Sequence, residues 1–360
     1  MFCGICRSVL LFADYINYKV CQVFAFVLFL IPYSSFIIIS NLPELPEVQT
    51  TVNGVNKLKG LIIKDVWTDY GGIIHQGKNH IKNTKYFANF KKKVLGKKII
   101  NSTRRAKNVL IHLTGDVTIL VHMKMTGHLL YGTYRKVSTK SEIRNSKLKT
   151  KSSQLKATEW VAVGKGPLRD DSYNQFIHLV FTLSNKKQLV LSDVRKFAKV
   201  CLINTNELQT SPELAHLGPE PLEKNFDFKT FKKCLSASWR RKIKQVLMDQ
   251  SVIAGIGNIY SDEILWASGV HPLRQVKSLK EKELKNIYKN IKIILKKGID
   301  FRGDSLSDYR NIDGERGEFQ NKHKVYGRKG LPCLQKGCHG TIERIMVGGR
   351  SAHFCPVHQK

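Results

Sequence analysis

The period of apolar positions changes twice along this chain. Val48, Val52, Val55 and Leu58 recur at helical spacing until Gly60 ends the run. That run opens with Pro43-Glu44-Leu45-Pro46-Glu47. Proline in a first turn and glutamate near an amino terminus both favour a helix start, so the spacing predicts a helix here. The period then shortens to short strand-like runs at 61–66, 98–103, 108–113, 117–123 and 128–131, resuming at 160–163, 176–183, 188–192 and 198–203. Runs so closely spaced predict an antiparallel sheet system. Residues 135–158 are rich in Lys, Ser and Thr with little apolar content, which reads as a solvated basic loop. Gly218-Pro219-Glu220-Pro221 marks a linker. Helical period returns over 227–297, clearest at 239–248, 259–267 and 279–295. A polar, glycine-rich stretch at 298–317 separates these helices from a cysteine-bearing tail, and no internal repeat is visible.

Charge adds a partner class. The 360 residues allow two or three domains, and 60 Lys plus Arg against 28 Asp plus Glu give a net charge of +32. Such an excess is the footprint of a protein that sits on a polyanion, with nucleic acid ahead of a membrane surface or a basic background composition. Residues 1–41 stand apart, with Arg7, Asp14 and Lys19 as their only charges. Within them, 20–39 is uncharged and long enough to span a bilayer as a helix, although Pro32 interrupts it. The direct reading is an anchor or signal segment. The other is upstream sequence that the mature protein lacks.

Of eight cysteines, Cys3, Cys6 and Cys21 lie in that extension, and Cys201 and Cys234 are scattered like buried small apolar residues. This is no disulfide framework and fits a reducing compartment. The tail is different: Cys333-x4-Cys338 and, sixteen residues on, Cys355-x2-His358 form two close pairs of N or S ligands. Zinc takes four such ligands in a tetrahedron, and a tail too short for its own core gains its fold from the metal. One structural zinc is expected on these four residues, with His339 and His353 nearby as alternatives for the fourth.

Several segments, taken in order, carry a resemblance. They are Pro43 to Glu47, Arg104-Arg105-Ala106-Lys107, His122-Met123-Lys124-Met125-Thr126-Gly127, Asp193-Val194-Arg195-Lys196-Phe197, Gly255-Ile256-Gly257-Asn258-Ile259-Tyr260 and Val325-Tyr326-Gly327-Arg328-Lys329-Gly330. With the terminal zinc pairs, the chain over 43–360 resembles the formamidopyrimidine-DNA glycosylases. The resemblance implies an α+β multidomain protein: an N-terminal β-sandwich with flanking helices, a helix-two-turn-helix domain and a C-terminal zinc-finger β-hairpin. The corresponding bounds are an apolar extension at 1–42, outside the mature protein, a catalytic domain at 43–208 and a linker at 209–225. The DNA-binding helices then take 226–310, and the end of a lesion-capping loop and the zinc finger take 311–360.

The implied chemistry is base excision of oxidised purines, 8-oxoguanine and formamidopyrimidines, followed by β,δ-elimination at the abasic site. The partner is duplex DNA containing oxidised bases or abasic sites, and the enzyme is a bacterial cytoplasmic monomer acting at the nucleoid, without a membrane. Pro43 corresponds to the family's nucleophile, whose amine attacks C1′ and leaves a covalent iminium. Glu44 matches the acid/base that protonates the opening sugar, and Glu47 a supporting carboxylate. Lys107 matches a lysine with a backbone contact and a part in strand cleavage. Arg350, in Gly348-Gly349-Arg350-Ser351, matches an arginine gripping phosphate beside the lesion through its planar fork. Met125, Arg195 and Phe197 match the residues that fill the gap once a base leaves the stack. Asn258 and Lys244 are implied phosphate ligands, and His178 and Arg240 further ones.

Four features depart from the family pattern. His358 stands where Cys is usual, four residues separate the first cysteine pair instead of two, and Ala198 follows Phe197 in place of Gly. The fourth bears on mechanism: 42 residues precede Pro43, and an internal proline has an amide nitrogen with no usable lone pair. Leu42 occupies the place of the family's initiator Met, which favours a start at that point. Two other functions stay open: an oxidised-pyrimidine glycosylase of the same superfamily, and a non-catalytic protein that binds damaged DNA.

Overall fold

The computed structural model describes residues 42–71, 78–137 and 160–360. The apolar extension over 1–41 and most of the basic loop expected at 135–158 lie outside them. Helix α1 (Leu45–Val55) forms where the apolar spacing placed it. Its first turn is closed by the Glu44 backbone N–H donating to Glu47 Oε2 at 2.7 Å. Strands then follow in chain order: β1 (Ile63–Thr68), β2 (Ile99–Arg105), β3 (Asn108–Leu113), β4 (Val117–His122), β5 (Gly127–Gly132), β6 (Tyr134–Lys136), β7 (Trp160–Ala162), β8 (Ile177–Leu183), β9 (Gln188–Asp193) and β10 (Lys199–Asn204). Two four-stranded antiparallel sheets result, ordered β1-β8-β9-β5 and β10-β4-β3-β2, and β6 pairs with β7.

Alternation along the strands makes them a sandwich. Leu179, Phe181 and Leu183 share one core with Val109, Ile111, Ile119 and Val121 of the other sheet, while Val180, Val190, Leu110 and Leu120 point away into satellite clusters. Val48, Val52 and Val55 of α1 join the same core. Two elements here escaped the sequence pattern. β6 occupies the start of the segment read as solvated loop, because Tyr134 is buried beneath it. Helix α2 (Thr84–Val94) is capped by Asn83, but only Phe90 and Val94 are fully buried in it, a stripe too thin to stand out among Lys91, Lys92 and Lys93.

The second core belongs to helices α3 (Phe228–Ser236), α4 (Ile243–Met248), α5 (Asn258–Ser268) and α6 (Glu281–Asp300). The helix expected over 239–248 begins only at Ile243; residues 238–242 form a turn in which Lys242 bridges to Gln275, and Trp239 is 56% exposed. Leu45 packs into this helical core while Val48, Val52 and Val55 pack into the sandwich, so α1 belongs to both. The chain ends in a hairpin of β11 (Glu343–Val347) and β12 (Arg350–Phe354). Among the described residues no helix is long and apolar enough to cross a membrane.

Candidate active site and nucleic-acid interface

The site begins where α1 meets α5. Glu44 is 2% exposed, and its carboxylate accepts backbone N–H groups at the amino end of α5: Gly257 to Oε2 at 2.7 Å, Ile259 to Oε1 at 2.9 Å and Tyr260 to Oε2 at 3.4 Å. Unsatisfied N–H groups of a helix start favour an anion there. Two glycines make the approach possible. A Cβ on Gly257 would collide with the Glu44 carboxyl, and one on Gly255, at φ +91°, would lie 2.7 Å from Leu45 Cδ1. Burial raises the pKa of Glu44; the Lys107 ammonium and these N–H groups oppose the rise.

Glu47 sits one turn on. Its Oε1 accepts the Tyr260 hydroxyl at 2.8 Å and the Asp304 backbone N–H at 2.7 Å. Burial first, then the charges of Glu44 and Asp304, push its pKa up to about 8. A group whose folded pKa is raised stabilises the fold at low pH and loses that contribution as pH rises through the folded value. The expected result is a fall in Tm between about pH 4.5 and about pH 8, with roughly 1.4 kcal/mol lost for each pH unit crossed in that interval. Glu47→Gln lowers the baseline, since one terminal atom becomes a donor facing donors, but its Tm changes less over the same range. A slope as steep as the wild type's assigns the pH dependence to another group.

Lys107 lies on the β2–β3 turn, where Ala106 takes a φ of +52°. The turn is held from the linker side. Glu220 accepts the Ala106 N–H at 2.5 Å and pairs with Arg104 at 2.6 Å and Arg105 at 3.1 Å, while Arg105 also donates to the carbonyls of Leu217 and Gly218. Burial lowers the Lys107 pKa, with the Glu44 and Glu47 charges opposing and Arg350 adding to the fall. One lysine, two glutamates and the hairpin arginine therefore share a single electrostatic neighbourhood.

Arg350 is exposed at the end of the β11–β12 turn. That hairpin is tied to α5 by Asn258 Nδ2 to Ser351 Oγ at 3.3 Å and by Asp262, whose Oδ2 accepts the His353 N–H at 2.8 Å. Lys244 departs from its expected place on phosphate. It is fully buried, 2.5 Å from Asp262 Oδ1, and also donates to Ser261 Oγ at 3.2 Å. A buried acid offers a better-matched partner than a surface anion, so this lysine braces α4 against α5. His178 departs likewise: its ring is buried with Nδ1 2.8 Å from Asp69. Arg240 is exposed on the turn before α4.

Met125 and Arg195 come from different loops and meet, with the guanidinium 3.8 Å from the Met125 sulfur. Phe197 stands beside them in sequence and is 50% exposed. Both loops are fastened to Asp193, which accepts the Thr126 hydroxyl, the Tyr70 hydroxyl at 3.1 Å and the Ala198 N–H at 2.7 Å. The Arg195 N–H in turn donates to Thr126 Oγ1 at 3.1 Å.

In the tail, the sulfurs of Cys333, Cys338 and Cys355 lie within 4.8 Å of one another. Each receives an N–H at 3.4 Å, from the Trp266 indole, Gly340 and His358 respectively. Donors aimed at three gathered sulfurs suit thiolates on a metal. His358, the expected fourth ligand, is outside this cluster; its Nε2 lies 2.7 Å from the Trp266 carbonyl. A carbonyl only accepts, so Nε2 is the donor in that contact and Nδ1 is the ring nitrogen left for a metal. His353 is taken by Asp262, and His339 is exposed.

Comparison with known proteins places this geometry. Residues 42–200 match the formamidopyrimidine-DNA glycosylase N-terminal domain and 217–310 the formamidopyrimidine-DNA glycosylase H2TH domain. Formamidopyrimidine-DNA glycosylases of Heliobacterium modesticaldum and Carboxydothermus hydrogenoformans are each 35% identical over 320 residues, covering 89% of this chain and 100% of theirs. The chain belongs to the formamidopyrimidine-DNA glycosylase family. A complex between the Lactococcus lactis Fpg and DNA containing an abasic site is similar at 30% identity, with a TM-score of 0.69 and coverage of 88% of this chain and 99% of that one. A complex of a point mutant of the same Lactococcus lactis protein with DNA containing Fapy-dG matches at the same identity and TM-score, over 88% and 100%.

Within the formamidopyrimidine-DNA glycosylase frame, Glu220, Asp193, Asp262 and Asp304 are the residues that sequence reasoning missed. All are acids in a chain with more than two basic residues for each acidic one. Glu220 between two prolines, and the adjacent Asp262 and Glu263 on a helix buried nearly throughout, were the available signals.

Proposed function

We propose that this protein excises oxidised purines from duplex DNA and then cleaves the abasic strand, with the Pro43 amine as nucleophile. The observation that carries the reading is the Glu44 carboxylate: adjacent in sequence to Pro43, buried, and fixed by backbone donors beside Lys107. In the proposed reaction the Pro43 nitrogen forms a bond to C1′ of the damaged nucleotide as the bond to the base breaks; its electron pair leaves with the base, which takes up the proton that the nitrogen gives up. Glu44 delivers a proton to the ring oxygen as the sugar opens, and the nitrogen lone pair completes an iminium. Loss of a C2′ proton then expels the 3′ phosphate and leaves a C2′–C3′ double bond, and a second elimination, with loss of the C4′ proton, expels the 5′ phosphate. A lowered Lys107 pKa supports its service as a base for such a proton. The nitrogen must be a free amine, so the reading requires a chain that begins at Pro43.

Arg350, Asn258 and Arg240 are assigned to DNA phosphates, with Arg350 nearest the reacting groups. Met125, Arg195 and Phe197 are assigned to the vacated stack, as thioether, cation and aromatic face. One structural zinc is proposed on Cys333, Cys338, Cys355 and His358, the last through Nδ1. It supplies cross-linking and no catalysis, and it holds the hairpin that presents Arg350. The test is single-turnover excision from an 8-oxoguanine duplex compared with binding to undamaged duplex. Met125→Ala is expected to slow excision by roughly tenfold or more while changing undamaged-duplex affinity little. Equal losses in both measurements return Met125 to a packing role.

A further inference from the structure

Beneath the site lies a buried histidine–aspartate contact that the proposed chemistry does not use. His323 Nε2 is 2.6 Å from Asp304 Oδ2, with the two side chains 5% and 2% exposed. The partners sit on different segments: Asp304 follows α6 and Gly303, and His323 ends the short 3-10 turn Phe319–Lys322. Asp304 also touches the proposed active site directly, since its backbone N–H donates to Glu47 Oε1 at 2.7 Å. The approach is close: at Gly303, φ +85°, a Cβ would fall 2.9 Å from Glu47 Cγ.

We propose that His323, as an imidazolium paired with Asp304, is a positioning residue for Glu47. Holding the Asp304 side chain fixes the Gly303-Asp304 backbone, and that backbone fixes one oxygen of the Glu47 carboxyl. The inference rests on the functional reading above and adds a residue to it. The charged groups acting on the ring are Asp304 from the loop and Glu263 from α5; Glu263 is itself held by the N–H groups of Lys324, Val325 and Tyr326 at 2.9–3.0 Å. Phe319 and Tyr326 close the remaining sides edge-on, each ring 5.5 Å from the imidazole. The imidazole thus lies between two buried carboxyl groups.

Burial disfavours the imidazolium, but the two acids outweigh it and raise the His323 pKa above its ordinary value. The pairing is therefore complete below the pKa of free histidine and is lost as pH rises through the folded value. Breaking one partner of a buried pair strands the other charge, whereas replacing both removes the problem.

The test is a double-mutant cycle of His323→Leu, Asp304→Ser and the pair together, read by single-turnover excision across pH and by Tm. Ser keeps the backbone N–H to Glu47. Each single variant is expected to lose roughly tenfold to a hundredfold in excision, the double variant to recover to within about threefold of wild type, and the alkaline decline of the wild-type profile to shift in the double. Losses that multiply in the double variant, or an alkaline limb identical in wild type and double, would overturn the proposal. Wild-type protein that excises nothing overturns the functional reading instead, and the pair is then judged on Tm: a drop in both single variants relieved in the double supports the coupling, and additive drops refute it.

Discussion

Glu44→Gln is expected to lower the rate of base excision by roughly 10²–10⁴-fold, the range that a positioned general acid contributes. The side chain is isosteric, so the loss follows from its chemistry. An amide has no proton to deliver to the opening sugar. It also presents one NH₂ where the carboxylate presented two accepting oxygens to Gly257, Ile259 and Tyr260. That mismatch costs about 1–3 kcal/mol of stability for the unsatisfied donor, so Tm should fall while the protein remains folded. Excision of 8-oxoguanine under single-turnover conditions, beside a Tm measurement, separates the two effects. A variant destabilised but within threefold of wild type in rate would remove Glu44 from the chemistry and leave it as a cap on α5.

With the proposed zinc on the tail cysteines, Cys333→Ser is expected to lower zinc affinity by at least about a hundredfold and release the metal. Cys333 is one of three gathered sulfurs and also receives the Trp266 indole N–H, so it links the cysteine cluster to α5. Loss of the metal frees the β11–β12 hairpin to reorient and withdraws Arg350 from its place near Lys107. Binding to abasic-site duplex should collapse, while the sandwich containing α1, with its own core, stays folded. Metal content measured on purified protein is the readout, and unchanged zinc in the variant would refute the ligand assignment. His358→Ala is the milder case, since its Nδ1 must reach a cluster formed by the three cysteines alone.

Much of this molecule was legible from its residues because the relevant signals are local. The α1 helix is written in Val48, Val52 and Val55 and in the Pro and Glu residues that start it. The strands of both sheets followed their alternation to within a few residues, since one face of each had to be apolar. Spacing alone found the three cysteines. What escaped depends on pairings across the chain. Lys244 is implied as a phosphate ligand, but Asp262, eighteen residues on, pairs with it inside the helical core. His178 reads as a DNA ligand until Asp69, 109 residues away, takes its ring. Glu220 and Asp193 hold the Lys107 and Met125 loops through bonds that no sequence spacing marks. Helix α2 and the late start of α4 show the same limit in secondary structure, where a thin apolar stripe and a single bridge to Gln275 decided the outcome.

The central claim is that the reacting amine belongs to Pro43. Residues 1–41, which lie outside those described, make it testable without any change to the site. The measurement is borohydride trapping on an 8-oxoguanine duplex, comparing protein that begins at Pro43 with the full 360-residue chain verified intact by mass spectrometry. Reduction of the iminium should fix a covalent protein–DNA adduct with the first and none with the second, because only the first carries the Pro43 nitrogen as a free amine. Equal trapping by both would contradict the account and move the nucleophile to Lys107, the other amine beside Glu44.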